Sequence, residues 1–91
     1  MESMITLMKF EASWCQPCKA YAPIVEQVVE SRTEDVRLEV IDVDENKDLA
    51  AKYGVMGVPF TVLKDGDGAV LGAFQGAVPV SKLHKILDTF M

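Results

Sequence analysis

The 91-residue sequence has no long apolar run, no excess of basic residues and only two cysteines. Its uninterrupted apolar segments are a few residues long, whereas a membrane-spanning helix needs about 20, so we expect no membrane segment. Lys and Arg number 9 against 14 Asp and Glu, a net charge of -5, which argues against binding of nucleic acid because phosphates require a basic surface. The N-terminus, Met-Glu-Ser-Met, has no basic residue before the apolar stretch that follows. We therefore expect no secretory signal and a cytoplasmic protein.

The chain is long enough for one domain and too short for two. It has no repeats, no low-complexity tract and no linker-like segment rich in Pro, Gly or Ser. With 49% hydrophobic residues, it can bury a modest core without help from metal ions or disulfides. We expect a single domain over residues 1–91.

The hydrophobic pattern predicts seven secondary-structure elements. In chain order they are a strand over residues 5–10, a helix over 16–31, a strand over 36–43, a short helix through Tyr53, strands over 60–63 and 69–74, and a helix that Pro79 opens and whose apolar face includes Phe90. Asp44 and Asn46 are candidate N-caps of the short helix, and Gly54 is its stop signal.

This order of elements predicts the topology of one sheet. The first two strands are joined by a helix and should therefore be parallel. The Asp-Gly pairs within residues 64–68 predict an antiparallel hairpin between the last two strands. The prediction is an α/β fold with a four-stranded mixed sheet, in the order β-α-β-α-β-β-α, and helices on both faces.

Cys15 and Cys18 are separated only by Gln16 and Pro17. A bridge between them closes almost no loop and would add little stability, which leaves redox chemistry or metal binding. Zinc requires four ligands, and the single histidine, His84, is far along the chain, so a zinc site within one chain is disfavoured. Two alternatives stay open, a zinc ion shared between two chains and a pair of inert buried cysteines.

The position of the two cysteines favours redox chemistry. They follow a strand and open a helix, where unpaired N–H groups and the helix dipole stabilise a thiolate. Cys15 is thus expected to be an exposed nucleophile of low pKa. Cys18 lies one turn deeper and is expected to resolve the mixed disulfide that Cys15 forms with a substrate.

Residues 14–19, Trp-Cys-Gln-Pro-Cys-Lys, resemble the active-site signature of the thioredoxin family, with Gln16 at its variable position. The resemblance extends from about residue 5 to the C-terminus. It also rests on Ala22-Pro23, on residues 41–46, on residues 52–59 and on Gly76.

The resemblance implies a thioredoxin-like three-layer sandwich and a thiol–disulfide oxidoreductase that reduces protein disulfides. Such a protein needs no metal and no cofactor beyond the redox-active Cys15–Cys18 disulfide. Pro59 is expected to be cis, which would bring the backbone of Val58 beside Cys15, where an extended substrate can pair with it. The implied substrate-binding residues are Trp14, Gln16, Pro17, Val43, Met56, Gly57, Val58, Pro59, Gly76 and Ala77.

The resemblance also implies partners, namely protein disulfides and an electron donor similar to thioredoxin reductase; we expect a monomer. Gln16 adds no positive charge beside Cys15, which favours a reductase over a strong oxidant. The alternatives are a disulfide oxidase or isomerase with the same chemistry, and a non-catalytic subunit that uses the fold as a docking surface.

The sequence departs from the family in three places. Met56 stands where many relatives have a charged or polar residue, and its flexible thioether suits contact with varied partners. So little chain precedes Ile5 that we expect an N-terminally short version of the fold. Lys9 stands where the family has a buried Asp beneath the second cysteine. Lys9 and Glu11 share one strand face and are expected to form an ion pair, with the lysine head reaching outward. A second hypothesis is that the ammonium modulates Cys18 by stabilising its thiolate.

Overall fold

The chain forms seven regular elements in a computed structural model that describes residues 4–91. They are β1 (Ile5–Glu11), α1 (Gln16–Glu30), β2 (Val36–Asp42), α2 (Lys47–Lys52), β3 (Phe60–Lys64), β4 (Val70–Gln75) and α3 (Val80–Thr89). All seven predicted elements are confirmed in type and order, with ends that differ by one or two residues. The prediction that there is no secretory signal rests partly on residues 1–3, which lie outside the described residues.

The four strands form one sheet in the order β2-β1-β3-β4. β1 and β2 are parallel, with Ile5 opposite Val36, and α1 connects them. β3 is antiparallel to both β1 and β4. This is the predicted mixed sheet. Because β1 is a central strand, its C-terminal end lies in the middle of one end of the sheet.

Helices cover both faces of the sheet. Because successive side chains of a strand point to opposite faces, β1 contributes apolar side chains to both layers. On one face, Leu7 of β1 packs with Tyr21 of α1 and Leu83 of α3. On the other face, Met8 and its neighbours pack against α2 and the segment after it. The predicted three-layer arrangement is thus confirmed. Among the described residues, no helix is long and apolar enough to cross a membrane.

The turn after β2 differs from the prediction. The Val43 N–H still donates to the Glu11 carbonyl at 2.9 Å, but the chain then turns, so the strand ends at Asp42. Asn46 occupies the N-cap position of α2 without capping it, because its side-chain Nδ2 donates to the Asp42 carbonyl. The Asp44 side chain is bonded elsewhere, as described below. Asn46 is therefore confirmed as the N-cap residue but without a side-chain capping bond, and Asp44 is wrong as a cap. Gly54, at φ +70°, does follow the end of α2.

Phe90 also departs from the predicted pattern. α3 ends at Thr89, and Phe90 is 38% exposed rather than part of the buried helix face. Its ring lies over Gly72 of β4, where a Cβ atom would come within 2.9 Å of the ring. Phe90 therefore covers the edge of the sheet at a point where the strand has no side chain.

Candidate active site

Cys15 and Cys18 lie at the junction of β1 and α1. The Cys15 N–H donates to the Ala12 carbonyl at 3.1 Å, which turns the chain from the strand into the helix. Cys15 is the N-cap of α1, and its Sγ accepts a hydrogen bond from the Cys18 N–H at 3.1 Å. Pro17 fits the first turn because the N–H it lacks would have no partner in the helix. The two cysteines form a disulfide, with their Cα atoms 5.3 Å apart.

The exposure of the two cysteines corrects one expectation. Cys15, expected to be exposed, is only 3% exposed in the disulfide, and Cys18 is 2% exposed. The two residues pack with Ala12, and Val43 and Val58 lie against the same cluster. In this oxidised form the two cysteines therefore do not differ in exposure, but the Cys15 sulfur accepts a hydrogen bond from the Cys18 N–H.

A loop from the other side of the sheet reaches the disulfide. The Val58–Pro59 peptide bond is cis, as the resemblance implies, and Val58 packs against the cysteine cluster. The Gly76 N–H donates to the Pro59 carbonyl at 2.8 Å, which brings Gly76 and the exposed Ala77 to the same end of the sheet. Gly76 has φ +94°, a conformation that residues with a side chain rarely adopt.

A groove of about 170 Å³ lies beside the cysteines. It is lined by Trp14, Val43, Ala50, Val55, Met56, Gly57 and Val58. Five of these were expected in the docking surface, while Ala50 and Val55 were not, since their apolar side chains follow an ordinary core pattern. Trp14 is 66% and Met56 93% exposed. Gln16 and Pro17 are exposed on the first turn of α1.

Trp14 is held in place by a hydrogen bond to Asp44, a residue that the sequence pattern predicted to cap the short helix. Its indole Nε1 donates to Oδ2 of Asp44 at 2.9 Å. Asp44 was expected to cap α2, and only its position at the end of the second strand, where the family motif lies, pointed to the active site. The bond connects the active-site turn to the loop after β2.

Lys9 lies in the interior, beneath the helix that carries the cysteines. Its Nζ is 3.0 Å from Oε1 of Glu11, so the expected ion pair is confirmed. The Lys9 side chain is 3% exposed, however, so its head does not reach outward as expected. Glu11, 32% exposed, supplies the opposite charge that makes this burial tolerable.

Comparison with known proteins identifies the family. The family model described as Thioredoxin matches residues 1–89. The chain belongs to the thioredoxin family. It is 39% identical over 85 residues to the thioredoxin of Bacillus subtilis, covering 92% of this chain and 80% of that protein. It is 33% identical over 87 residues to the thioredoxin of Listeria monocytogenes, covering 96% and 84%.

Solved structures agree with this assignment. The Fasciola hepatica thioredoxin structure is similar, with a TM-score of 0.88 and 33% identity, over 99% of this chain and 84% of that one. Together with the Cys15–Cys18 pair, these similarities identify the thioredoxin-family chain as a thiol–disulfide oxidoreductase.

This thioredoxin-family chain has a second buried polar contact near Lys9. The Tyr21 hydroxyl and Thr61 Oγ1 are 3.0 Å apart, and both residues are fully buried. Burial raises the pKa of Tyr21 above its ordinary 10.0, while the hydrogen bond with Thr61 opposes part of that rise. Within residues 4–91, every buried side-chain nitrogen or oxygen has a hydrogen-bond partner.

No group of three or more His, Cys, Asp or Glu side chains that could hold a metal ion occurs in the described part of the chain. His84 is half-buried on α3, and its Nδ1 is 3.1 Å from the Arg32 guanidinium, which is not a metal ligand.

Proposed function

We propose that this protein reduces protein disulfides, with Cys15 as the attacking thiol and Cys18 as the resolving one. The observation that carries the proposal is the hydrogen bond from the Cys18 N–H to the Cys15 sulfur at the start of α1. In the reduced form the same N–H and the positive end of the helix dipole would stabilise a thiolate on Cys15. Cys18 lies inside the helix, and its sulfur lacks this position.

The reaction then has two exchanges. The Cys15 thiolate attacks one sulfur of the substrate disulfide, a Cys15–substrate bond forms, and the other substrate sulfur leaves as a thiolate. Cys18 attacks the Cys15 sulfur next, which forms the Cys15–Cys18 disulfide and releases the second substrate thiol. The substrate is reduced and the protein is oxidised by two electrons.

The groove beside the cysteines is the proposed substrate-docking surface. The exposed Trp14 and Met56 offer apolar contacts at its rim, and the thioether of Met56 adapts to side chains of different shape. The backbone at Val58, which packs against the cysteines, would pair with an extended substrate segment as an added strand. Gln16, Pro17, Gly76 and Ala77 extend this surface on either side.

The proposal includes an electron donor, a monomeric state and a location in the cytoplasm. Both cysteines are oxidised after one turnover, so an electron donor similar to thioredoxin reductase must reduce them again. Both cysteines and the groove belong to one chain, so a monomer, folded as one domain, suffices. The cytoplasm, where thiols are kept reduced, is the compartment that suits a reductase.

The first experiment measures the activity on protein disulfides and whether the protein acts as a reductase or an oxidase. We expect the protein to accelerate the reduction of insulin by dithiothreitol, and a variant with Ser at both cysteines to be inactive. The reduction potential of the Cys15–Cys18 couple, equilibrated with glutathione, should lie near roughly −270 mV, as for reducing members of this chemistry. A value near about −120 mV would instead assign the chain to disulfide oxidation.

The second experiment separates the two cysteines. Cys18→Ser should accumulate a mixed disulfide with an oxidised protein substrate, because the resolving thiol is missing. Cys15→Ser is the matched control and should accumulate none. Accumulation by the Cys15 variant alone would reverse the assignment of the two roles.

A further inference from the structure

Lys9 is a buried charged residue that the two-exchange mechanism does not use. The residue is 2% exposed, and its ammonium group is paired with Glu11, whose side chain is 32% exposed. Burying a charge is costly even when it is paired, and apolar replacements for such pairs are often no less stable. Stability is therefore a weak reason for a lysine at this position.

The contacts along β1 place Lys9 beneath the first turns of α1. Leu7, two residues before Lys9 and on the same strand face, packs with Tyr21. Ala12, three residues after Lys9, packs with Cys18. Cys18 and Tyr21 lie one turn apart on the buried face of α1, and Lys9 is on the sheet face that this part of α1 covers.

The pairing of β1 with β3 gives the same placement. Lys9 is directly opposite Thr61 in the antiparallel pair, so the two side chains share a face and are neighbours. Thr61 is the residue that contacts the Tyr21 hydroxyl at 3.0 Å. Lys9 and the Tyr21–Thr61 contact therefore lie on the same buried face of the sheet, and Cys18 is one turn before Tyr21 on the helix that covers it.

The charged residues near Cys18 in the described part of the chain differ in sign and in burial, and Lys9 is both positive and buried. Asp42 of β2 is opposite Glu11 in the parallel pair, and it accepts a hydrogen bond from the Asp44 N–H. Lys19, next to Cys18 on α1, is exposed and therefore screened by solvent. Val58, from the loop before β3, contributes only apolar contact.

We propose that Lys9 is a positioning residue for the resolving step, whose buried ammonium stabilises the Cys18 thiolate. In that step Cys18 loses its proton to water, its sulfur bonds to Cys15, and the Cys15–substrate bond breaks with the electron pair going to the substrate sulfur. Glu11 keeps the ammonium in place, but its charge is partly screened because its side chain reaches solvent. The proposal requires that the buried ammonium outweigh the Glu11 carboxylate at Cys18, which the double variant below tests directly. This inference rests on the proposed function for the step in which it acts.

The test is a titration of Cys18 in a Cys15→Ser background, where it is the one remaining thiol. Two variants are compared with this parent, Lys9→Met, which keeps the stem, and Lys9→Met/Glu11→Gln, which removes both charges. The matched control is Lys64→Met/Glu39→Gln, because that pair, 4.0 Å apart, lies in the same sheet with its side chains on the opposite face. The pKa is read from the ultraviolet absorbance of the thiolate, after circular dichroism has verified folding.

We expect both Lys9 variants to raise the pKa of the Cys18 thiol by about 1 unit, the low end for loss of a nearby opposite charge, and the control to leave it unchanged. A pKa equal to that of the parent in the double variant would overturn the proposal, since the ion pair would then have no net effect on Cys18. An equal rise in the control would overturn it as well, because the effect would not be specific to Lys9.

A kinetic measurement separates this inference from the proposed function. With both cysteines present, Lys9→Met should slow release of the second substrate thiol about 10-fold at neutral pH and restore it at alkaline pH. The first exchange at Cys15 should keep its rate. A slow release that alkaline pH does not restore would indicate a purely structural role. The Cys18 titration needs no substrate, so it remains decisive even if the protein proves inactive on insulin.

Discussion

The indole nitrogen of Trp14 and the carboxylate of Asp44 form a 2.9 Å hydrogen bond across 30 residues of chain. Trp14 is on the turn before the cysteines, whereas Asp44 is on the turn after β2. The bond therefore fixes the orientation of an exposed aromatic side chain that forms one wall of the groove. An exposed tryptophan without this partner would lose orientation at the place where substrates are proposed to bind.

Removing this bond should weaken substrate binding more than turnover. For Asp44→Ala we expect KM for a protein disulfide to rise about 5-fold, corresponding to about 1 kcal/mol for one hydrogen bond, with kcat nearly unchanged. Steady-state reduction of insulin over a range of concentrations measures both constants. Asp67→Ala is the matched control, because it removes a carboxylate from the β3–β4 turn, at the end of β3 opposite the groove. It should leave KM unchanged. A fall in kcat at constant KM would disprove the docking role of Trp14.

Gly76 should be intolerant of any side chain. A Cβ at this position would meet no atom within 4 Å, so the cost of Gly76→Ala comes from the backbone at φ +94° alone. We expect a loss of about 1–2 kcal/mol in the free energy of unfolding, measured with urea. Gly66→Ala is the control, because Gly66 does not have a positive φ and its added Cβ would meet only ordinary contact. Equal stability of the two variants would contradict this explanation.

Tyr21 should make stability fall at alkaline pH. Its pKa is raised by burial, so above pH 10.0 the unfolded chain releases the phenol proton while the folded chain keeps it. The folded state then binds more protons, and the free energy of unfolding falls as pH rises, until the raised pKa is passed. Tyr21→Phe should remove this part of the slope in urea unfolding of the disulfide form. Thr61→Val loses the same hydrogen bond but keeps the phenol, so its slope should remain.

Arg32 should contribute more to stability than its salt bridge alone. Its guanidinium bonds with Asp88, with His84 Nδ1 at 3.1 Å and with the His84 carbonyl at 3.4 Å, which joins the loop after α1 to α3. Arg32→Met should cost about 1–2 kcal/mol, because the contacts with Asp88 and with His84 are lost together. Asp88→Asn removes only an exposed ion pair and should cost less than about 0.5 kcal/mol. Similar losses in urea unfolding would show that the ion pair is the main contribution.

The elements and their order could be predicted because each carries a local signal. The Asp-Gly pairs of residues 64–68 predicted the hairpin, and Asp65 accepts hydrogen bonds from two backbone amides of that turn. The spacing of Tyr21, Val25 and Val28 predicted the buried face of α1. Such signals involve residues close in sequence, so they do not depend on the rest of the fold.

The errors occurred where a side chain had two possible partners. Asp44 and Asn46 are good caps by residue type, yet Trp14 and the Asp42 carbonyl, both outside α2, bind their side chains. Phe90 fits the period of α3, but the helix ends before it and its ring covers Gly72. The choice between a local and a distant partner depends on which elements become neighbours, and the local pattern does not contain it.

The sequence by itself determined the chemistry of this protein, because two cysteines separated by two residues at a strand–helix junction bring a dithiol to a helix N-terminus. It also determined that Lys9 and Glu11 share a strand face and can pair. The tertiary structure decided that the lysine head is buried and that both cysteines are covered by Ala12, Val43 and Val58. Local sequence does not determine exposure, since Val43 and Val58, which help to exclude water from the cysteines, come from segments distant in sequence.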